Sequence, residues 1–361
     1  MTSQTPLEAV IRAEIAERGP MGLDRYMALC LAHPQHGYYR KQDPLGMSGD
    51  FVTAPEISQI FGELIGLWVA QCWIDQGRPA PFALVETGPG RGTLMADALR
   101  ATRAVPGFHD GMQLNLVETS PVLRGRQKET LRDYDVTWRD RFDETPDLPL
   151  LLVANEFFDA LPIRQFERAG DGWRERLVAI VDEKLDLQSG PLRPEPHLSI
   201  RGDDLPEGGL IETSEISETI AAEIGEQLRA RGGAALIIDY GYDATMRSRA
   251  GGVDTIQAMR DHNFVNPFDD PGEADLTAHV DFDALASAAN VRKHGIVDQG
   301  AFLLGLGAAQ RAEALAKTHP DQAHDVKGAL HRLTDASEMG TLFKAMALTA
   351  DPAPPPAAFP A

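Results

Sequence analysis

Apolar residues recur every three and four positions over Leu7 to Ala16, Leu23 to Leu31 and Glu56 to Trp73, which predicts three helices near the N-terminus. Between the last two, Ala32 to Pro55 is rich in Gly, Pro, His and Asp and predicts a long loop, a kind of segment that in compact domains often carries function. From Phe82 the pattern changes to short apolar runs: Phe82 to Glu86, Leu114 to Glu118, Val136 to Trp138, Leu148 to Ala154 and Ala234 to Asp239. The first four are separated by helix or turn material. That alternation predicts an α/β fold with a mainly parallel, doubly wound sheet, whose ligands lie at the carboxyl ends of the strands.

The rest of the chain reads as additions to that sheet. Ile163 to Phe166 and Trp173 to Val181 flank a Gly-containing turn and predict a β-hairpin insertion over about residues 160 to 185. A helix from Glu215 to Arg229 leads back to the sheet. Further on come a helix at Phe282 to Ala289, a sixth strand at Val291 to Val297, a helical insertion over about 299 to 338, and a last strand at Thr341 to Leu348. The expected organisation is therefore an N-terminal helical region (1–78, with the loop 32–55), an α/β domain (79–349) and a disordered Pro/Ala tail (350–361).

Composition narrows the class. At 43% hydrophobic and 24% charged residues, the chain has the make-up of a water-soluble globular protein. Its formal charge of −20 argues against nucleic acid and anionic membrane surfaces as partners, and favours a cationic protein segment. Cys30 and Cys72 offer neither a disulfide framework nor a zinc site, and no His/Asp/Glu/Cys cluster has metal-ligand spacing. The acidic, amphipathic start lacks the features of a signal peptide or organelle presequence, and no apolar run approaches the length of a membrane span. A bacterial cytoplasmic protein without membrane insertion is expected.

The strongest local signal is Leu84-Val85-Glu86-Thr87-Gly88-Pro89-Gly90-Arg91-Gly92-Thr93-Leu94, a strand that runs into three glycines and then a helix. A dinucleotide fingerprint would place its third glycine at position 93, so pyrophosphate is disfavoured. An acid two residues before Gly88 instead resembles the first motif of Rossmann-like S-adenosylmethionine methyltransferases. There the glycines let the backbone approach the ligand, and the acid (Glu86) holds the ammonium group of its methionine moiety. Glu118 ends the next strand, where a carboxylate grips a ribose diol, and Asp140 follows the third strand, where it could face the adenine amino group. The fourth strand delivers Asn155-Glu156-Phe157-Phe158-Asp159 to the same edge. Asn155 is assigned to the cofactor; Glu156 and Asp159 are candidates to hold an arginine guanidinium or the cofactor, the alternative being a turn cap and a solvated acid. Two polar islands, around Asp50 and around His279, could reach the same cleft from the substrate side, His279 as a neutral hydrogen-bonding group.

Taken together, these residues resemble the MidA-like, complex I assembly-factor type of S-adenosylmethionine-dependent methyltransferase, whose mitochondrial members are protein arginine methyltransferases. The resemblance is carried by HPQHGYY at 33–39, SGDFVTAPEISQIFGE at 48–63, ETGPGRGTLMADALR at 86–100, LVETSPVLRGRQ at 116–127 and NEFFDALPIRQF at 155–166. It continues through ALIIDYGY at 235–242, DLTAHVDFDAL at 275–285, QGAFLLGLG and QRA within 299–312, and MGTLFKAMAL at 339–348. One departure is GGVDTIQA at 251–258, where a tighter Gly-Asp-Thr-Leu-Gln-Ala is expected. The resemblance implies S-adenosyl-L-methionine as cofactor and symmetric dimethylation of an arginine on the 49 kDa-type subunit of respiratory complex I. A small-molecule O- or N-methyltransferase and a non-catalytic assembly chaperone are the alternatives.

Overall fold

The structure is a computed structural model and describes residues 4–41, 53–202 and 204–360. Its centre is a sheet built from β1 (Phe82–Thr87), β2 (Met112–Val117), β3 (Val136–Arg139), β4 (Leu150–Asn155), β5 (Gly233–Tyr242), β6 (Arg292–Asp298) and β7 (Phe343–Thr349). Spatial order is β3-β2-β1-β4-β5-β7-β6; β7 runs antiparallel to both neighbours and the other pairings are parallel. A two-residue stub, Val280–Asp281, adds to the end of β5. All six residues of β1 and of β4 are buried, as expected for parallel strands covered on both faces. Strand order reverses between β1 and β4. The crevice beyond their carboxyl ends is where an open α/β sheet takes its ligand.

Helices Gln59–Asp75 and Thr93–Thr102 cover one face, burying Phe61, Trp68, Leu94 and Leu99 against Leu84 and Leu151. Glu215–Arg231 and Phe282–Ala289 cover the other, over Val85, Leu152 and Ile237. The single helix expected over Glu56 to Trp73 is broken. Ser58 is extended (φ −161°, ψ 137°) and its hydroxyl accepts the Ile60 N–H, so Ala54–Ile57 forms a separate turn directed toward the crevice.

Two smaller sheets stand at the carboxyl edge. The expected hairpin is larger than predicted: Arg164–Ala169, Gly172–Val181, Lys184–Arg193 and Leu210–Thr213 form an antiparallel sheet that also takes in Met21–Gly22. The second consists of Gln257–Arg260, Asn263–Val265 and Asp275–Thr277. Helices Pro6–Arg18 and Leu23–Ala32 pack against both, through Leu7, Tyr26 and Met27 on Val178, Ala258 and Leu276. The first 78 residues are thus divided between two cores. Residues 42–52 of the predicted 32–55 loop, Asp50 among them, lie outside the described residues.

The tail corrects another expectation. Rather than being disordered, residues 350–360 lie along the domain, with the Trp68 indole N–H donating to the Ala357 carbonyl at 3.1 Å and Phe359 buried against Trp68 and Phe302. One aromatic anchor suffices to tie down a Pro/Ala segment that composition alone marks as unable to form a core.

Candidate functional site

At the β1/β4 switch point lies a cavity of about 440 Å³ whose wall includes Glu86, Gly88, Gly90, Glu118, Asn155 and Phe157. Glu86, at the end of β1, is buried, and its Oε2 has no hydrogen-bond partner among the described residues. Nothing offsets the desolvation, which pushes its carboxyl up to about 8. Asn155 Oδ1 likewise has no partner among the described residues. Buried polar atoms left open on a cavity wall fit a ligand that brings donors, such as an α-ammonium group. The glycines make the approach possible: Gly88 has φ +62° and a Cβ there would stand 2.9 Å from Phe157 Cδ2, and Gly90 has φ +52°.

Glu118 sits just past β2 and is buried; its Oε1 accepts the Ser120 N–H at 2.6 Å and its Oε2 the Gln127 amide at 3.3 Å. Burial raises its pKa, and these bonds pull the other way. The same Gln127 Nε2 donates to the Gly90 carbonyl at 2.7 Å, and Gln127 Oε1 accepts the Trp138 indole N–H at 2.8 Å. One amide therefore ties the glycine turn, Glu118 and β3 together. Sequence reading passed over Gln127, because a glutamine inside a helix carries no chemical signal of its own.

Two predicted cofactor residues fall elsewhere. Gly92 is absent from the wall; at φ +81° it is the left-handed residue before helix Thr93–Thr102, which makes it a turn requirement. Asp140 is also absent from the wall, its exposed carboxylate paired with Arg124 at 2.8 Å. Arg124 also donates to the carbonyls of Glu118 and Arg139, and this draws Asp140 outward.

A second cavity, about 370 Å³, adjoins the first, and Tyr39, Thr53 and Glu156 belong to both walls. Its inner end is acidic, with Glu156, Asp159 and Asp275. Glu156 holds a left-handed backbone (φ +50°), and its Oε1 accepts the Ala54 N–H and the Asn155 amide, both at 3.2 Å. Burial, then the neighbouring Asp159, push its carboxyl up to about 7. Asp159 is raised as well, chiefly by burial; the Tyr240 hydroxyl hydrogen-bonds it, while its Oδ1 has no partner among the described residues. The Tyr39 hydroxyl donates to Asp275 at 2.9 and 3.1 Å.

The turn that carries Glu156 and Asp159 is held from β5. Fully buried Asp239 accepts the backbone N–H groups of Phe157, Phe158 and Asp159 on Oδ2 (3.2, 3.0 and 3.3 Å) and that of Tyr240 on Oδ1 (3.0 Å). Asp239 is not among the site residues expected from sequence, and Asp275 enters there only as the first residue of the polar island 275–281 around His279. The polar end of ALIIDYGY was the available signal for Asp239. His279 lines the second cavity, its Nε2 3.0 Å from the Gln257 amide nitrogen and its ring edge-on to Tyr240. Burial lowers its pKa, which keeps the imidazole neutral and able to accept from Gln257. Among the described residues no group of His, Cys, Asp and Glu is placed to hold a metal ion, and no helix is long and apolar enough to cross a membrane.

The geometry thus joins a cavity with the features of a nucleoside and amino-acid site to an acidic one. Comparison with known proteins identifies the family. A Burkholderia thailandensis protein crystallised with S-adenosyl-homocysteine superposes with a TM-score of 0.83 at 31% identity, over 95% of this chain and 91% of that one. "Protein arginine methyltransferase NDUFAF7, mitochondrial" of Mus musculus is 34% identical, over 95% of this chain and 84% of the relative. Its Drosophila melanogaster homolog is 33% identical, over 94% and 83%. Residues 64–297 match the model of the family described as "Putative S-adenosyl-L-methionine-dependent methyltransferase". With the glycine turn, the orphaned Glu86 and the sheet order all in agreement with that match, the chain belongs to this family of S-adenosyl-L-methionine-dependent methyltransferases.

Proposed function

We propose that this chain methylates an arginine of a protein substrate, and that the arginine enters through the acidic cavity to meet the cofactor at Glu156. The observation that carries the reading is the position of Glu156 in the wall common to both cavities, with Asp159 and Asp275 beyond it. In this reading Glu86 and Asn155 hold the amino-acid end of S-adenosyl-L-methionine and Glu118 its ribose. When bound, the cofactor supplies an electrophilic methyl group on a sulfonium. The protein contributes alignment, which for well-oriented groups is worth on the order of 7 to 11 kcal/mol.

A guanidinium is protonated at neutral pH, planar, and recognised by carboxylates in a fork geometry. Glu156 Oε1 is already engaged by Ala54 and Asn155, and no bond to Oε2 is made among the described residues. Oε2 is thus the oxygen that orients the guanidinium and takes its proton as the nitrogen is methylated. A carboxyl near 7 is suited to accepting a proton there. Asp159 adds negative charge behind it, and Tyr39 and Tyr240 supply aromatic walls.

The relatives named as protein arginine methyltransferases support a protein acceptor. The bacterial 49 kDa-type subunit of complex I, symmetrically dimethylated, is the substrate proposed, and a reducing cytoplasm the compartment. The buried free thiols Cys30 and Cys72 agree with the latter. The test is to incubate the protein with labelled methyl donor and that subunit and to locate the label by mass spectrometry. Label on an arginine is expected, falling by roughly tenfold or more in Glu156→Gln with cofactor affinity little changed, the scale of one charge-assisted hydrogen bond. Label on a lysine or a small molecule would overturn the reading, and cofactor binding without any transfer would favour an assembly chaperone.

A further inference from the structure

Among the described residues, the two most exposed large apolar side chains are Phe264, at 70%, and Leu342, at 53%, and both line the mouth of the acidic cavity. They come from unrelated elements. Phe264 is in the middle of the Asn263–Val265 strand, and Leu342 ends the short helix Met339–Leu342 that leads into β7. Met259 and Met339 line the same cavity. Apolar side chains scattered singly over a surface need no explanation, but two that converge on the entrance of a reaction cavity mark a binding surface.

A cation completes this rim. Arg332, exposed in the last turn of helix Ala323–Thr334, is the only Lys or Arg among the described residues that line the cavity. It makes no ion pair or hydrogen bond among the described residues, whereas Arg164, Arg201 and Arg311 each engage carboxylates. An unpaired cation at the entrance of a pocket that takes an arginine repels that arginine unless the substrate brings an anion with it. It also repels any second arginine nearby. Specificity of this kind is built as much from repulsion of the wrong partner as from attraction of the right one.

We propose that Phe264, Leu342 and Arg332 form a sequence-reading rim. The substrate is an extended polypeptide segment whose single arginine is flanked by apolar side chains and a carboxylate, and arginine-rich segments are rejected. The proposal rests on the arginine reading above and adds the substrate class. The charge pattern is complementary along the whole path: acids at the inner end face the guanidinium, apolar side chains face the flanks, and Arg332 faces the carboxylate.

The full-length protein, labelled methyl donor and three synthetic peptides test it. One peptide carries a single arginine between leucines with a glutamate beyond; the second has lysine in place of that glutamate; the third is an arginine-glycine repeat. The first is expected to be methylated on arginine with kcat/KM roughly tenfold above the other two, the scale of one like-charge clash relieved. Arg332→Glu should invert the preference between the first and second peptides. The double variant Phe264→Ser, Leu342→Ser should raise KM for the first with cofactor affinity unchanged, and because all three side chains are exposed the fold should tolerate these changes. Equal kcat/KM for the three peptides, or a ratio unmoved by Arg332→Glu, overturns the rim. So does methylation of the intact 49 kDa-type subunit with none of the peptides. Label on atoms other than arginine, or on neither subunit nor peptides, overturns the underlying arginine reading instead.

Discussion

The two cavities share Glu156 but are assembled by different physics. The cavity proposed for the cofactor takes Glu86 and Gly88 from the end of β1, Glu118 from the end of β2 and Asn155 from the end of β4, so the parallel sheet alone brings its polar groups to one edge. The cavity proposed for the acceptor takes Tyr39 from an N-terminal turn, Asp159 from the loop after β4, Tyr240 from β5, Asp275 and His279 from the three-stranded sheet and its exit, and Phe343 from β7. No single sheet rule unites them. They converge only because the N-terminal helices and both smaller sheets pack into one core around Leu7, Met27 and Leu276. One half is thus a property of local order and the other of tertiary packing, and substitutions should separate them.

The largest effect expected is loss of the cofactor half alone. Gly90 stands at φ +52°, a region in which a β-branched residue is strained. Gly90→Val should remove measurable binding of S-adenosyl-L-methionine in calorimetry while the circular dichroism spectrum stays that of the parent. Unchanged affinity in the folded variant, or tighter binding of NAD than of the methyl donor, would show that the glycine turn is not the cofactor site.

Next in size is a loss on the acceptor side. Asp239 does not line either cavity, yet its carboxylate collects three successive N–H groups of the turn bearing Glu156 and Asp159. It is a positioning residue. In Asp239→Asn one of the four backbone donors must face an NH₂ group, and a misplacement on the order of 1 Å can cost about a hundredfold in rate. Transfer should fall roughly tenfold to a hundredfold, well beyond any change in cofactor affinity. In the parent protein, transfer should rise with pH through about 7, where Glu156 ionises. A merely structural Asp239 would lower stability and leave that pH profile where it was.

This contrast explains what could be read from the amino-acid order. β1, β2 and β4 were visible as apolar runs, and the acids that end them were therefore visible as candidates for the cavity wall they line. Glu156 and Asp159 could be placed for the same reason. Asp275, by contrast, is legible only as the first residue of a polar island, 275–281, that could approach the cleft, and the packing of its sheet against Tyr39 is what brings its carboxylate to the cavity. The break at Ser58 was hidden because the apolar period runs straight through it, and the buried tail because a Pro/Ala composition says nothing about a single phenylalanine.

A smaller effect tests what the two halves have in common, namely buried acids kept without a cation. Glu86 has an ordinary carboxyl pKa of 4.5 in the unfolded chain and about 8 in the fold. Between those values the folded state holds more protons than the unfolded one, so this group's contribution to stability falls as pH rises through that window. Glu86→Gln should therefore stabilise the protein by on the order of a few kcal/mol above pH ~8, and by little below pH ~4.5. The same change should weaken cofactor binding by roughly tenfold to a hundredfold, because a charge-assisted bond to the ammonium is lost. Thermal melts over a pH series, with and without S-adenosyl-L-methionine, give both readings. A melting temperature that moves the same way at every pH would mean that Glu86 finds a cation in solution.

The smallest effect is expected where chain order and structure part company. Asp140 follows β3, the position from which an acid could meet an adenine amino group, but its carboxylate is exposed and paired with Arg124 outside the cavity wall. An exposed ion pair contributes about 0 to 1 kcal/mol, and Arg124 keeps its bonds to the Glu118 and Arg139 carbonyls without it. Asp140→Ala should leave cofactor affinity within about twofold of the parent, a change of less than 1 kcal/mol. Adenosine, which carries the ring without the methionine moiety, makes the sharper probe. If its affinity drops tenfold or more in Asp140→Ala, the acid reaches the adenine after all, and the boundary drawn here between the cofactor cavity and the solvated face of β3 is in the wrong place.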